Sequence, residues 1–200
     1  MPSHPIAEKL LRAAALPIAA PSANRSGHVS PTTAKHVLDD LGDEVSVILD
    51  GGPTSVGLES TIVDVTGESP VLLRAGAITV ERLTEIAGRP VLRATGQGER
   101  PTSPGQLLSH YAPRARVRVD ATRVEAGEAL LAFGPHPIPC PGPCRNLSPI
   151  GDLVEAASNL FAYLRELDGT GASGIAVMPV PGHGLGEAIN DRLQRASRGR

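Results

Sequence analysis

Asp152-Leu-Val-Glu-Ala-Ala-Ser-Asn-Leu-Phe-Ala-Tyr-Leu-Arg-Glu-Leu-Asp-Gly-Thr-Gly-Ala-Ser-Gly-Ile-Ala-Val-Met178 reads as a helix that delivers the chain into a buried strand. Its first part, Asp152 to Leu167, is the longest amphipathic stretch in the chain, and Gly174 to Met178 is an apolar run of strand length. Upstream, Arg116-Val-Arg-Val119 alternates as a strand, and Ala129-Leu-Leu-Ala-Phe133 reads as a second buried strand before a Pro-rich loop over Pro135 to Pro143. Downstream, Gly186 to Ala196 closes the chain as a helix. Strand and helix in alternation predict a small, parallel, Rossmann-like α/β unit.

A different pattern precedes it. Pro5 to Ala15 reads as a short helix, Pro17-Ile-Ala-Ala20 as a buried strand, and Ser30-Pro31 as the capped start of a helix that ends at Leu41-Gly42. Val45 to Asp50, Ser60 to Val65 and Val71 to Arg74 read as strands. Thr79 caps a helix over Val80 to Ala87 that Gly88 ends. Beyond it, Gly, Pro, Ser, Thr and Arg dominate and no periodicity survives, which marks a connection between domains. The organisation expected is a first α/β domain over residues 1–92, a linker over 93–114 and a small C-terminal domain over 115–200.

Composition narrows the function. The 200 residues are 40% hydrophobic but only 2% aromatic, with no Trp, so the core is aliphatic and a base-stacking nucleic-acid platform is disfavoured. A formal net charge of -2 with no basic stripe gives no footprint for a large polyanion. Stable direct nucleic-acid binding and membrane partners are therefore not expected, and any nucleotide is small and held in a pocket. The opening Met1-Pro-Ser-His-Pro5 lacks a basic flank and an apolar stretch, so a cytoplasmic protein is expected. Cys140 and Cys144 form neither a disulfide framework nor a four-ligand zinc pattern, and free thiols in a loop are expected; no metal site is assigned.

Several positions carry possible chemistry. The loop from Ser22 and Asn24 to Ser30 joins a strand end to a helix start, and its hydroxyls and backbone N–H groups suit a phosphate. It also reads as a solvated connection in which Ser30 only caps. Arg74 at a strand's end reads either as a phosphate partner or as a surface residue. Glu59-Ser60-Thr61 offers a ligand hydroxyl at Ser60, with Glu59 a charge partner or merely solvated. Tyr111, one of two tyrosines, falls in the linker and reads as a ring that folds over a site bounded by Ser22, Ser30 and Arg74, or that packs on one domain. His110 beside it reads as structural more readily than as an acid or base. No P-loop, dinucleotide fingerprint or nucleophile elbow is present.

In order along the chain stand Met1-Pro-Ser-His-Pro5, Pro17-Ile-Ala-Ala-Pro-Ser-Ala-Asn24, Ser26-Gly27, Ser30-Pro-Thr32, Leu49-Asp-Gly-Gly52, Glu59-Ser-Thr61 with Asp64, and Leu73-Arg74 with Gly76. Ser103-Pro-Gly105, His110-Tyr-Ala-Pro113 and Gly184 to Arg192 follow. This ordered set resembles the YrdC-like family in its long, two-domain form, the L-threonylcarbamoyl-AMP synthases, over nearly the whole chain. The resemblance implies the C-terminal part of a twisted open α/β sheet domain, N-terminally truncated, then a linker and the small Rossmann-like domain. It implies synthesis of threonylcarbamoyl-AMP and pyrophosphate from L-threonine, bicarbonate and ATP, the first step of tRNA threonylcarbamoyladenosine modification. Mg²⁺ is expected with ATP, and the product is expected to pass to a tRNA threonylcarbamoyl transferase complex. Carried over by position, Ser22, Ser30, Arg74 and Tyr111 match ATP contacts, and Ala20 and Ser60 match L-threonine contacts. Asn24 supports the loop. Positioning and charge neutralisation replace a covalent nucleophile. The alternative reading is a truncated nucleotide- or RNA-binding remnant without catalysis.

Overall fold

The computed structural model describes residues 2–94 and 110–199; residues 95–109 of the expected linker, with Ser103-Pro-Gly105, lie outside the described residues. The chain divides into two compact units, one of residues 1–25 and 30–54, the other of residues 26–29 and 55–200. Among the described residues no helix is long and apolar enough to cross a membrane.

The first unit is built from two short α-helices, a single 3-10 turn over Gly42–Glu44 and loops. Helix α1 spans Pro5–Ala14, with Pro at its first turn, where a missing N–H leaves nothing unpaired, and a Glu8–Arg12 ion pair one turn apart. Helix α2 spans Ala34–Leu41. Its cap is Thr33, whose hydroxyl accepts from His36 N at 3.2 Å, and not Ser30 as the Ser-Pro signal predicts. Thr32 lies beside this first turn, its backbone N–H and hydroxyl both 3.2 Å from His36 Nδ1. The two strands predicted here do not form. Residues 17–20 and 45–50 belong to no sheet among the described residues, and Ile18, Val47 and Leu49 are exposed. Apolar runs become strands only where a neighbouring strand takes their N–H and C=O groups.

The second unit holds two sheets. In the first, β1 (Ile62–Asp64) and β2 (Val71–Arg74) are antiparallel, and β3 (Leu92–Arg93) adds to β2 in parallel. Helix α3 (Val80–Ala87) makes the crossover from β2 to β3, with the Thr79 hydroxyl capping Arg82 N and Gly88 in the left-handed conformation at its end. Those are the boundaries that the sequence predicts.

In the second sheet all pairs are parallel and the order is β4 (Arg116–Arg118), β7 (Gly174–Val177), β5 (Glu128–Ala132), β6 (Cys144–Asn146). The parallel α/β expectation holds, but the first strand of this sheet lies at its edge, unlike the dinucleotide-binding order, in which it is internal. Cys144 opens β6 rather than lying in a loop, and burial raises its thiol pKa. Helices α4 (Leu153–Asp168) and α5 (Leu185–Ser197) pack on one face. The pleat divides β5: Ala129 and Leu131 face the helices, while Leu130 and Ala132 face a smaller cluster with Ala121 and Ala176. Asp152 caps α4 by accepting from Val154 N at 2.6 Å and Glu155 N at 3.3 Å. The helix buries Ala156, Ala157, Leu160, Phe161, Leu164 and Leu167 at helical spacing, each large side chain contributing about 1.5–3 kcal/mol. Gly57 seats the approach to β1 on this helix. Its φ is 71°, and a Cβ there would stand 2.5 Å from the Ala157 carbonyl oxygen.

Candidate functional site

The site begins where β1 and β2 meet. Antiparallel register sets Ile62 opposite Arg74, so the residues just before β1 lie alongside the end of β2. Arg74 Nε donates to the Ser60 carbonyl oxygen at 3.0 Å, and Nη2 donates to Ser60 Oγ at 3.1 Å. The Thr61 hydroxyl donates to Ile78 O at 2.8 Å and accepts from Ile78 N at 3.0 Å. Gly76 closes the corner. A Cβ there would lie 2.4–2.7 Å from the backbone of Glu59, Ser60 and Thr61, so no other residue permits this approach without moving Ser60.

Behind the corner stands Arg192 of α5, wholly buried at 0% exposure. Nε donates to Glu59 Oε2 at 3.0 Å, Nη1 to Asp191 Oδ2 at 2.8 Å and Nη2 to the Ala75 carbonyl oxygen at 2.9 Å. Its guanidinium carbon is 5.2 Å from the centre of the Tyr111 ring. In front lies an open pocket of about 200 Å³ lined by Arg74, Ala75, Arg93, Glu187, Asp191 and Arg195 among others. Arg93 pairs with Glu187 at 2.6 Å and Arg195 with Asp191 at 2.9 Å, so the pocket wall alternates in sign.

Tyr111 is placed differently from its predicted role as a ring folded over a site. It is 1% exposed, stacks on Phe161 of α4 at 5.5 Å, and belongs to the core that also holds Val117 and Leu131. Aromatic area this large is worth more inside an aliphatic core than over an open loop, which accounts for the difference. Its φ of 60° is unusual for an aromatic residue. The following residue is tied down: Ala112 N donates to Gly27 O at 2.9 Å. The ring still lies within electrostatic reach of Arg192, Glu59 and Arg74, and its hydroxyl pKa is raised, mainly by burial.

The other predicted residues lie in the first unit. Ala20 and Ser22 are exposed and Ser30 is buried. Asn24 N donates to Ser22 O at 3.0 Å and Asn24 Nδ2 to Arg25 O at 3.0 Å, which shapes the loop. Sequence reading thus named Ser60, Arg74 and Tyr111, which one neighbourhood brings together, and left Glu59 open. It missed Arg192. The signal was there: Ile189, Arg192, Leu193 and Ala196 are spaced as one buried helix face, and a charge on that stripe requires partners. Among the described residues no group of three or more His, Cys, Asp or Glu side chains is placed to hold a metal ion.

His110 packs edge-on against Tyr111, with ring centres 4.1 Å apart, and its Nδ1 is buried with no hydrogen-bond partner among the described residues. Its pKa is held below the ordinary 6.5, first by burial; Glu59 pulls it up, while Arg195, Arg192 and Arg74 push it down. The folded state then binds fewer protons here than the unfolded chain. Its contribution to stability is constant above the unfolded value and declines as pH falls below it. Urea midpoints between about pH 8 and about pH 5.5 should fall more steeply in the wild type than in His110→Gln. Equal slopes in the two proteins would show that His110 is as readily protonated folded as unfolded. Asp64, Glu81 and Glu128, all held below ordinary carboxylate values, act in a lower pH range.

A mixed α/β chain with a small parallel sheet and a Ser–Arg corner at a strand end is the class of protein defined so far. Comparison with known proteins resolves it further. Residues 78–198 match the family model described as threonylcarbamoyl-AMP synthase, C-terminal domain, and residues 1–76 match the Sua5/YciO/YrdC model described as telomere recombination. The chain belongs to the Sua5/YrdC family. It is 37% identical to the threonylcarbamoyl-AMP synthase of Bacillus subtilis, over 100% of this chain and 62% of that protein. It is 38% identical to the Pyrococcus abyssi enzyme of the same name, over 98% of this chain and 62% of that one. The crystal structure of P. abyssi Sua5 complexed with L-threonine superposes with a TM-score of 0.87 at 34% identity, covering 99% of this chain and 63% of that one. The chain thus spans about 62% of the length of these relatives.

Proposed function

We propose that this chain is the greater part of an L-threonylcarbamoyladenylate synthase. In that reaction the threonine amine and bicarbonate give a carbamate and water, and a carbamate oxygen then displaces pyrophosphate from the α-phosphate of ATP. The observation that carries the reading is the Ser60–Arg74 corner, in a chain whose structural neighbour is complexed with L-threonine. Ser60 and Ala20 take L-threonine, and Ser22, Ser30 and Arg74 take ATP, with Asn24 shaping the loop; Tyr111, buried against Arg192 and Phe161, supports Arg74's neighbourhood from the core side. No residue serves as a nucleophile. The side chains hold two reactants in line and offset charge on the phosphates. Mg²⁺ enters with ATP as its counter-ion. In this reading residues 1–92 form a YrdC-like domain, 93–114 the linker and 115–200 the small domain. The product serves a tRNA threonylcarbamoyl transferase complex.

The test is pyrophosphate release from MgATP, with L-threonine and bicarbonate each added or withheld, beside calorimetric titration with L-threonine. Release that needs both co-substrates supports the synthase. A second reading, a nucleotide- or RNA-binding remnant without catalysis, draws on the chain's spanning 62% of its relatives' length. Nucleotide or RNA binding without threonine-dependent release would favour it.

A further inference from the structure

We infer that Arg192 is a positioning residue, by which helix α5 sets the geometry of Ser60 and Arg74. The assignment of those two residues to ligands rests on the synthase reading; the geometry does not.

A guanidinium removed from water is tolerated only when its donors are used. Arg192 uses all three nitrogens, and two of its three acceptors lie in the corner. Glu59 immediately precedes Ser60, and Ala75 immediately follows Arg74. Holding the Ala75 carbonyl oxygen fixes the backbone just after Arg74, and holding the Glu59 carboxylate restrains the residue just before Ser60, so both flanks of the Arg74–Ser60 contacts are tied to one side chain. The remaining face of Arg192 lies against Tyr111. The third acceptor, Asp191, also pairs with Arg195, which anchors the guanidinium to its own helix. An aliphatic side chain of similar volume would fill this space at lower desolvation cost. What only a planar, forked cation supplies is a simultaneous hold on the Glu59 carboxylate, the Ala75 backbone carbonyl and a ring.

The experiment compares Arg192→Lys with the wild type by NMR and calorimetry. Lysine keeps the charge and loses the fork. Amide exchange across α5 reports whether the helix stays folded. The Arg74 Nε–H signal, assigned by its loss in Arg74→Lys, reports the corner. The expected result is a folded variant in which Arg74 Nε–H exchanges with solvent roughly tenfold faster, and in which the Kd for L-threonine rises roughly ten- to hundredfold. Glu59→Gln, which preserves shape and removes one charge, should give the same signature more weakly with α5 amides unchanged; it decides the matter if Arg192→Lys does not fold. Wild-type Arg74 Nε–H exchange in the folded variant overturns the inference. Wild-type chain that binds no L-threonine overturns the synthase reading instead, while the Arg74 exchange rate still decides the role of Arg192.

Discussion

Phe161→Ala should lower the stability of the unit that holds both sheets by about 3–5 kcal/mol, seen as a fall of about 1–2 M in the urea midpoint followed by far-UV circular dichroism. The ring is 1% exposed, lies on the α4 face that meets the parallel sheet, and stacks on Tyr111 at an interplanar angle of 27°. Truncation removes its buried area and leaves a cavity bounded by rigid neighbours, Leu160 and Leu164 on the same helix and Leu131 on β5. It also strips Tyr111 of its aromatic partner. A double-mutant cycle with Tyr111→Leu should give a coupling of about 0.5–1.5 kcal/mol, the usual worth of an aromatic pair beyond its area. Leu16→Ala is the control: that side chain is 70% exposed, and its loss should change stability by less than about 0.5 kcal/mol. A Phe161→Ala protein within about 1 kcal/mol of the wild type would mean that this ring, and with it Tyr111, does not belong to a packed core.

How far the sequence discloses this structure depends on where each element finds its partners. Helices α3 and α4 carry their boundaries in local chemistry. Thr79 and Asp152 cap their first turns through their own side chains, and Gly88 takes the left-handed φ that ends α3. Strands β2, β5 and β7 are legible because their apolar runs end in neighbours within the same unit. The runs at 17–20 and 45–50 look the same in sequence and form no strand, because strand formation is decided by a partner that no local pattern encodes. Strand β3 is two residues long and β6 follows a Pro-rich loop, so neither offers a period to read. In the site, Ser60 and Arg74 are recognisable by residue type and position. Their mutual hydrogen bonds, and the buried arginine on a helix more than a hundred residues later that holds both sides of them, come only from the tertiary arrangement.

That arrangement changes what Arg74→Ala should do. A desolvated arginine–phosphate contact typically accounts for about 2–5 kcal/mol, so the Kd for MgATP should rise roughly thirtyfold to several thousandfold. Sequence reasoning alone expects ATP use to suffer far more than L-threonine binding and gives no route by which the second would suffer at all. The structure ties Arg74 to both the carbonyl oxygen and the hydroxyl of Ser60, so removing the guanidinium also frees the residue assigned to L-threonine. A smaller loss is therefore expected there, about that of a hydrogen bond to a charged group, or roughly 1.5–3 kcal/mol. Arg74→Lys separates the two effects. An ammonium still attracts phosphate as a point charge but cannot bond to Ser60 at two places while facing a ligand. The lysine variant should recover part of the ATP affinity and little of the L-threonine affinity. Calorimetric titration of each variant with MgATP and with L-threonine separately checks the pattern. Unchanged affinity for ATP in Arg74→Ala would reduce Arg74 to a structural clasp for Ser60, and unchanged affinity for L-threonine would detach Ser60 from that clasp's function.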